Sequence, residues 1–313
     1  MDVIDLHCDL LAYLAMSPDR TPSNPAPRCS GPQLKAGNVK IQTLAISSET
    51  NIYSLCFGLR QLEIFLELPE KYPEYFSKES IIPAFENASS FCIENEPLED
   101  VFQRLENILT RISPLYIGIT WNGENRFGGG CGSTSGLKEE GKELLKFLSG
   151  RGIAIDFAHA TDSLARETLN YIDAKNLDLR VMASHSNFRT LQSHIRNLPD
   201  DIAKEIIQRD GLIGLVFYKK FLGQPVNLYK QIEYGLKLGG ENALALGADF
   251  FCTEDYSFLL SGEVGFFDEM SNASQYPSIL EGIQREMALS QDQLAAIASE
   301  NAQKFIIYKA IYS

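Results

Sequence analysis

Eight short apolar runs, each followed by a stretch of helical periodicity, constrain the fold of this 313-residue chain more than any other feature. They are Val3–Leu6, Val39–Ile46, Ile81–Phe85, Leu115–Trp121, Ile153–Ala158, Leu179–Ser184, Leu212–Phe217 and Leu244–Ala248. Several are nearly unbroken in Val, Ile and Leu, as parallel strands covered on both faces should be. Amphipathic segments lie between them: Leu55–Leu68, Leu98–Ile112, Glu139–Leu148, Asp162–Ile172, Asp200–Arg209 and Leu228–Leu238. Eight alternations predict an α/β chain closed into a (β/α)8 TIM barrel, not an open sheet. The length suits one domain, residues 1–313, with helices from about Pro277 packed on the barrel's outside. Ser17–Pro32 and Gly123–Gly136 read as loops, the first lying over the first strand.

In such a barrel the strand C-termini converge on one face, where active sites are built. Three of the four histidines fall there: His7, His159 and His185 each follow a strand. His194 lies off this register and reads as a surface or loop residue. Carboxylates sit at the same height. Asp9 follows His7 by two, which on an extended chain puts both side chains on one face. Glu86 ends the third run and Asp249 the eighth. A lone His or Asp after a strand is usually structural, and such an Asp is commonly a helix N-cap. Six of these residues at strand ends make the stronger case for a binuclear metal site. Imidazole with carboxylate is a ligand mix zinc accepts. Two divalent ions about 3.5–4 Å apart need a shared anion. Glu86 is the best placed residue to bridge them, beside a metal-bridging hydroxide. Asp249 would orient that water and carry its proton to the leaving group.

Composition excludes other classes. A net charge of -13 argues against nucleic acid as a partner. No run approaches the roughly 18 apolar residues of a membrane span, and no basic apolar leader stands at the N-terminus. The six cysteines include no C-x-x-C pair. These features predict a soluble, cytoplasmic protein.

The motifs that carry the histidines resemble one family along nearly the whole chain. Ile4-Asp5-Leu6-His7-Cys8-Asp9 is similar to the opening D-x-H-x-D strand of the membrane (renal) dipeptidase family of zinc peptidases. Ile155-Asp156-Phe157-Ala158-His159-Ala160 resembles its D-[LF]-[SA]-H motif. Ser184-His185-Ser186 with Arg196-Asn197-Leu198-Pro199-Asp200-Asp201 resembles its S-H-S…R-N-x-P-D-D stretch, and Gly247-Ala248-Asp249-Phe250 its G-x-D-F strand. The resemblance implies two zinc ions per chain, His7 and Asp9 on one, His159 and His185 on the other, with Glu86 bridging. It implies that Asp249 is the acid/base residue. Arg196 would bind the carboxylate of a dipeptide substrate, a role that suits a planar guanidinium. The family tends to dimerise, so a homodimer is expected.

Two departures stand out. Animal members carry a His after the fourth strand, in a T-H motif. Here Thr120-Trp121-Asn122 occupies that place, as it often does in bacterial branches. Trp121 and Asn122 are therefore expected at the substrate site, although Trp121 could instead pack over the barrel mouth. Indole donates one N–H and transfers no proton. The export and anchoring segments of animal members are also missing, which points to a bacterial-type enzyme. Two rival functions remain. One is another binuclear hydrolase on this fold, an amidohydrolase, lactonase or deaminase. The other is a non-catalytic binding protein on a retired scaffold.

Overall fold

The computed structural model describes residues 1–256 and 265–312, with side chains to residue 307. Among them, eight parallel strands close into a barrel in sequence order. They are β1 (Val3–Cys8), β2 (Val39–Ile46), β3 (Ile81–Phe85), β4 (Tyr116–Gly118), β5 (Ala154–Asp156), β6 (Val181–Ala183), β7 (Leu212–Leu215) and β8 (Leu244–Leu246). Asp5 of β1 pairs with Leu246 of β8 to complete the ring. The TIM-barrel expectation holds. The later strands are shorter than their apolar runs. β4 keeps three residues of Leu115–Trp121, because the chain beyond Gly118 leaves the ladder while Ile119 and Thr120 stay buried. Those departures at the C-terminal ends are the walls of the site.

The helices between strands follow the predicted amphipathic stretches. In chain order, α1 (Leu10–Met16), α2 (Gly31–Ala36), α3 (Ser54–Lys71), α4 (Leu98–Leu109), α5 (Glu139–Leu148) and α6 (Asp162–Lys175) serve the first half. They are followed by α7 (Asp200–Gln208), α8 (Lys219–Leu222) and α9 (Asn227–Lys237). Capping is local chemistry: Thr161 opens α6 by accepting from Leu164 N at 3.0 Å, and Asn176 closes it in the left-handed region at φ 49°. After β8 come α10 (Tyr276–Glu286), α11 (Gln291–Ala295) and α12 (Asn301–Tyr312).

The C-terminal tail does more than cover the outside. Ala302 and Phe305 of α12 join the barrel-filling residues Ile4, Ala84, Tyr116, Met182 and Ala245 in one apolar cluster. Asn301 Nδ2 donates to the carbonyls of Glu241 and Leu244, both at 2.9 Å. The tail therefore stoppers the barrel's N-terminal end, and the opposite end is left for a site.

Candidate active site

The site begins with two buried aspartates that clamp neighbouring strands. Asp5 accepts from the backbone N–H of His7 at 3.1 Å, of Ala248 at 3.2 Å, and from the Tyr276 hydroxyl. Asp156 accepts from the backbone N–H of Ser184 at 2.7 Å and its hydroxyl at 2.6 Å. Each aspartate thus fixes the backbone beside a metal-site candidate on the next strand: Asp249 after Ala248, His185 after Ser184. Burial pushes both carboxyls up to about 6, against the lowering effect of these hydrogen bonds.

The six candidates converge at the barrel mouth, all nearly buried. Asp9 differs from expectation in one respect. It is the N-cap residue of α1, at φ -98° and ψ 31°, not part of an extended strand. The turn still leaves Asp9 Oδ1 3.7 Å from His7 Nε2. Glu86 Oε1 lies 2.8 Å from His159 Nε2 and 3.6 Å from Nε2 of both His7 and His185. Asp249 Oδ1 is 3.5 Å from His7 Nε2. Asp249 also holds φ 61°, a left-handed conformation unusual for a non-glycine and a mark of a constrained site.

Hydrogen bonds settle which nitrogen each imidazole offers. Tyr116 gives its hydroxyl proton to Leu6 O at 3.2 Å, so it accepts from His7 Nδ1–H at 2.7 Å. Ser184 gives its proton to Asp156, so its oxygen accepts from His185 Nδ1–H at 2.8 Å. Asn122 Oδ1 accepts from His159 Nδ1–H at 3.0 Å and from the Cys131 thiol at 3.2 Å. All three rings are anchored through Nδ1 and turn an unprotonated Nε2 inward. Burial is the first cause that holds all three histidines neutral, with the Arg196 charge among the others. Burial likewise raises Asp9, reinforced by the Glu86 charge, and Asp249, reinforced by Asp9 and then Glu86, and brings Glu86 up to about 7.

The result is a cluster of acceptors with almost no donors. His159 Nε2 and His185 Nε2 face each other at 3.1 Å. His7 Nε2 and Asp9 Oδ1 are buried without any hydrogen-bond partner. His7, Glu86 and His185 offer ligand atoms within 4.8 Å of one another, and so do His7, Asp9 and Asp249. Lone pairs in this array need cations between them, and the donor set fits divalent metal with imidazoles fixed by outer hydrogen bonds.

A cavity of about 270 Å³ opens over these residues. Arg196 lines it and is buried; its Nη2 donates to His159 Nε2 at 2.9 Å and its Nη1 has no partner. Trp121 is half-buried on the cavity wall, its ring 5.9 Å from His159 and 6.5 Å from Tyr256. Asn122 lines the cavity too, but its carboxamide oxygen is already engaged by His159. The glycine-rich loop straps this corner down: Cys131 N donates to His159 O and Gly132 N to Asn122 O, both at 2.8 Å. A Cβ on Gly130 would sit 1.8 Å from Trp121 O, so only glycine lets the strap close.

Sequence reasoning missed some of this. His194 is a loop residue, but it is not on the outer surface: it lines the cavity, and its Nδ1 accepts from Arg196 N at 3.1 Å. Tyr116 falls inside the fourth apolar run, and no pattern announced that its hydroxyl orients His7. Asp5, Asp156 and Ser184 stood inside the quoted motifs, so spacing could have flagged them as supports.

A profile of the membrane dipeptidase family, peptidase family M19, matches residues 1–310. The chain belongs to the membrane dipeptidase family. One relative, an uncharacterized protein in the pqqA 5' region of Klebsiella pneumoniae, is 28% identical over 151 residues, 43% of this chain and 54% of that one. The chain thus spans about half the length of that relative. Among solved structures, a metallo peptidase from Rhodobacter sphaeroides, liganded with a phosphinate mimic of the dipeptide L-Ala-D-Ala, superposes with a TM-score of 0.78 at 16% identity. That match covers 98% of this chain and 99% of the other. An amidohydrolase from Pseudomonas aeruginosa gives 0.76 at 17% identity, covering 97% and 95%. At these identities the likeness is one of fold. Among the described residues no helix is long and apolar enough to cross a membrane.

Proposed function

We propose that this chain is a metallo-dipeptidase that holds two zinc ions and hydrolyses the amide bond of dipeptides. One observation carries the reading. Three imidazoles anchored through Nδ1 turn Nε2 toward three carboxylates, beside a cavity whose wall holds a buried guanidinium with no ion pair among the described residues. In this reading His7 and Asp9 hold one ion, His159 and His185 the other, and Glu86 is shared. Bound zinc supplies Lewis acidity for the scissile carbonyl and a water that loses its proton near neutral pH.

The chain's own residues supply the rest. Arg196 Nη2 and a cation compete for the one lone pair of His159 Nε2. A filled site therefore frees Nη2 beside the unpartnered Nη1, giving two parallel donors for a free C-terminal carboxylate. Asp249 faces the same space and moves a proton from the attacking water to the departing amine. Trp121 walls the substrate's flank, while Asn122 acts mainly through His159. The likeness to the Rhodobacter protein, whose ligand mimics a dipeptide, supports the substrate class.

The test is a panel of dipeptides, including D-residues at the C-terminal position, run on zinc-loaded and chelated protein with the metal counted. About two zinc per chain and chelator-sensitive hydrolysis are expected. His159→Ala and Glu86→Ala should each abolish it, and full activity in either overturns the ligand set. Arg196→Ala should slow dipeptides far more than amides lacking a carboxylate; equal slowing overturns the docking role. Turnover of lactones or other amides but of no dipeptide assigns the chain to the other binuclear hydrolases.

A further inference from the structure

One wall of the cavity carries more positive charge than a single substrate carboxylate uses. Lys220, in α8, lines the cavity together with Arg196 and His194. Phe221, its neighbour in the chain, ties the three together. Its ring lies 4.8 Å from the His194 ring and 5.2 Å from the Arg196 guanidinium carbon. Arg196 is deep and Lys220 is exposed at the rim. Neither forms an ion pair among the described residues, and the carboxylates that line the cavity, Asp9, Glu86 and Asp249, belong to the ligand wall.

His194 completes this wall as a donor. Its Nδ1 accepts from Arg196 N, so its proton sits on Nε2. Burial and then the Lys220 charge hold its pKa down at about 4, so it is neutral near pH 7. The wall therefore offers a guanidinium, an ammonium and an imidazole N–H, and among the described residues the only carboxylates lining the cavity are those of the ligand wall. The α-carboxylate of a dipeptide takes the deep guanidinium, which lies against the metal ligand His159. A second anion nearer the rim would meet Lys220.

Resting on the dipeptidase reading, we propose that Lys220 reads the side chain of the substrate's C-terminal residue, and that this site prefers dipeptides ending in Asp or Glu. The overall acidic chain repels such doubly anionic substrates at long range, so a local cationic rim is what admits them.

The experiment compares kcat/KM for Ala-Glu and Ala-Gln, and for Ala-Asp and Ala-Asn, each in L,L and L,D forms, on the zinc-loaded protein. The pairs are near-isosteric, so their ratio isolates charge. An acid-to-amide ratio of about ten is expected, falling as salt is raised because the rim is solvent-exposed. In Lys220→Gln the ratio should drop to about one, and in Lys220→Glu below one. A wild-type ratio near one, or a ratio unchanged in Lys220→Gln, overturns the proposal and leaves the dipeptidase reading standing. Hydrolysis of no dipeptide by zinc-loaded protein overturns both.

Discussion

Asn122→Leu removes the hydrogen bond that fixes His159 and changes little else in volume. The structure sets the magnitude. His159 Nδ1–H loses its acceptor at 3.0 Å in a site where the residue is 7% exposed. An unsatisfied buried donor costs about 1–3 kcal/mol. At about 1.4 kcal/mol per decade, that should weaken an ion held by His159 roughly 10–100-fold, the range found for partners of metal-bound histidines elsewhere. The imidazole can escape the penalty by moving its proton to Nε2, but that consumes the lone pair the metal needs. Asn122→Asp keeps an oxygen opposite Nδ1 and should hold the ion at least as well as wild type. The assay is competition with a chromophoric zinc chelator, which reports both affinities without reference to turnover. One weakened ion and one unaffected ion is the expected result for Asn122→Leu. Two ions with wild-type affinities would refute the tautomer argument, and would return Asn122 to the role of a substrate contact seen only in KM.

Further outcomes follow from the same geometry. Asp249→Asn should keep the bound metal and lose at least about 100-fold in kcat, because a carboxamide can neither take a proton from water nor pass one on; Asp249→Gly should unfold at higher denaturant than wild type, since glycine relieves the φ of 61°, which costs an L-residue about 1 kcal/mol. Gly247→Ala would drive a Cβ to 1.9 Å from Ser184 O, between the strands that carry Asp249 and His185, so zinc content and about 1–3 kcal/mol of stability should fall together. Asp5 is held at about 6 against an ordinary 3.8, so between those values the folded chain keeps a proton that the unfolded chain has lost. Stability of the chelated protein should therefore fall as pH rises through that window, by up to about 3 kcal/mol from this group. Asp5→Asn should flatten that slope in urea titrations at pH 4 and pH 6, and an unchanged slope would show that Asp5 does not titrate there.

Much of the architecture was legible because parallel barrels write themselves as repeated buried runs, and β2 and β3 match their runs to the residue. The end of β4 was not legible, since Ile119 stays buried after leaving the ladder and hydrophobicity records burial alone. Asp9 went the same way: a two-residue offset implies a shared face only while the chain stays extended, and helix α1 begins at the next residue. His194 escaped because its loop is shaped by the bridge between Phe188 and Leu198, a contact with no periodicity to betray it.

The order of the motifs has a physical reason that neither strand pattern nor ligand chemistry gives alone. Asp5 binds the N–H of His7 on its own strand and of Ala248 on the strand beside it, so one carboxylate sets the height of His7 and Asp249 together. Asp156 binds Ser184 N and Ser184 Oγ, and that same hydroxyl accepts from His185 Nδ1, so a second carboxylate sets both the height and the tautomer of His185. A candidate metal site spread over five strands needs register between neighbours as well as ligands. In each pair the aspartate sits a few residues ahead of a candidate ligand histidine and reaches across to the next strand. The D-x-H and D-x-x-H spacings are thus couplings between strands: a change at Asp5 should move His7 and Asp249 together, and a change at Asp156, which also accepts from Ala158 N at 3.3 Å, should move His185 and the neighbouring His159.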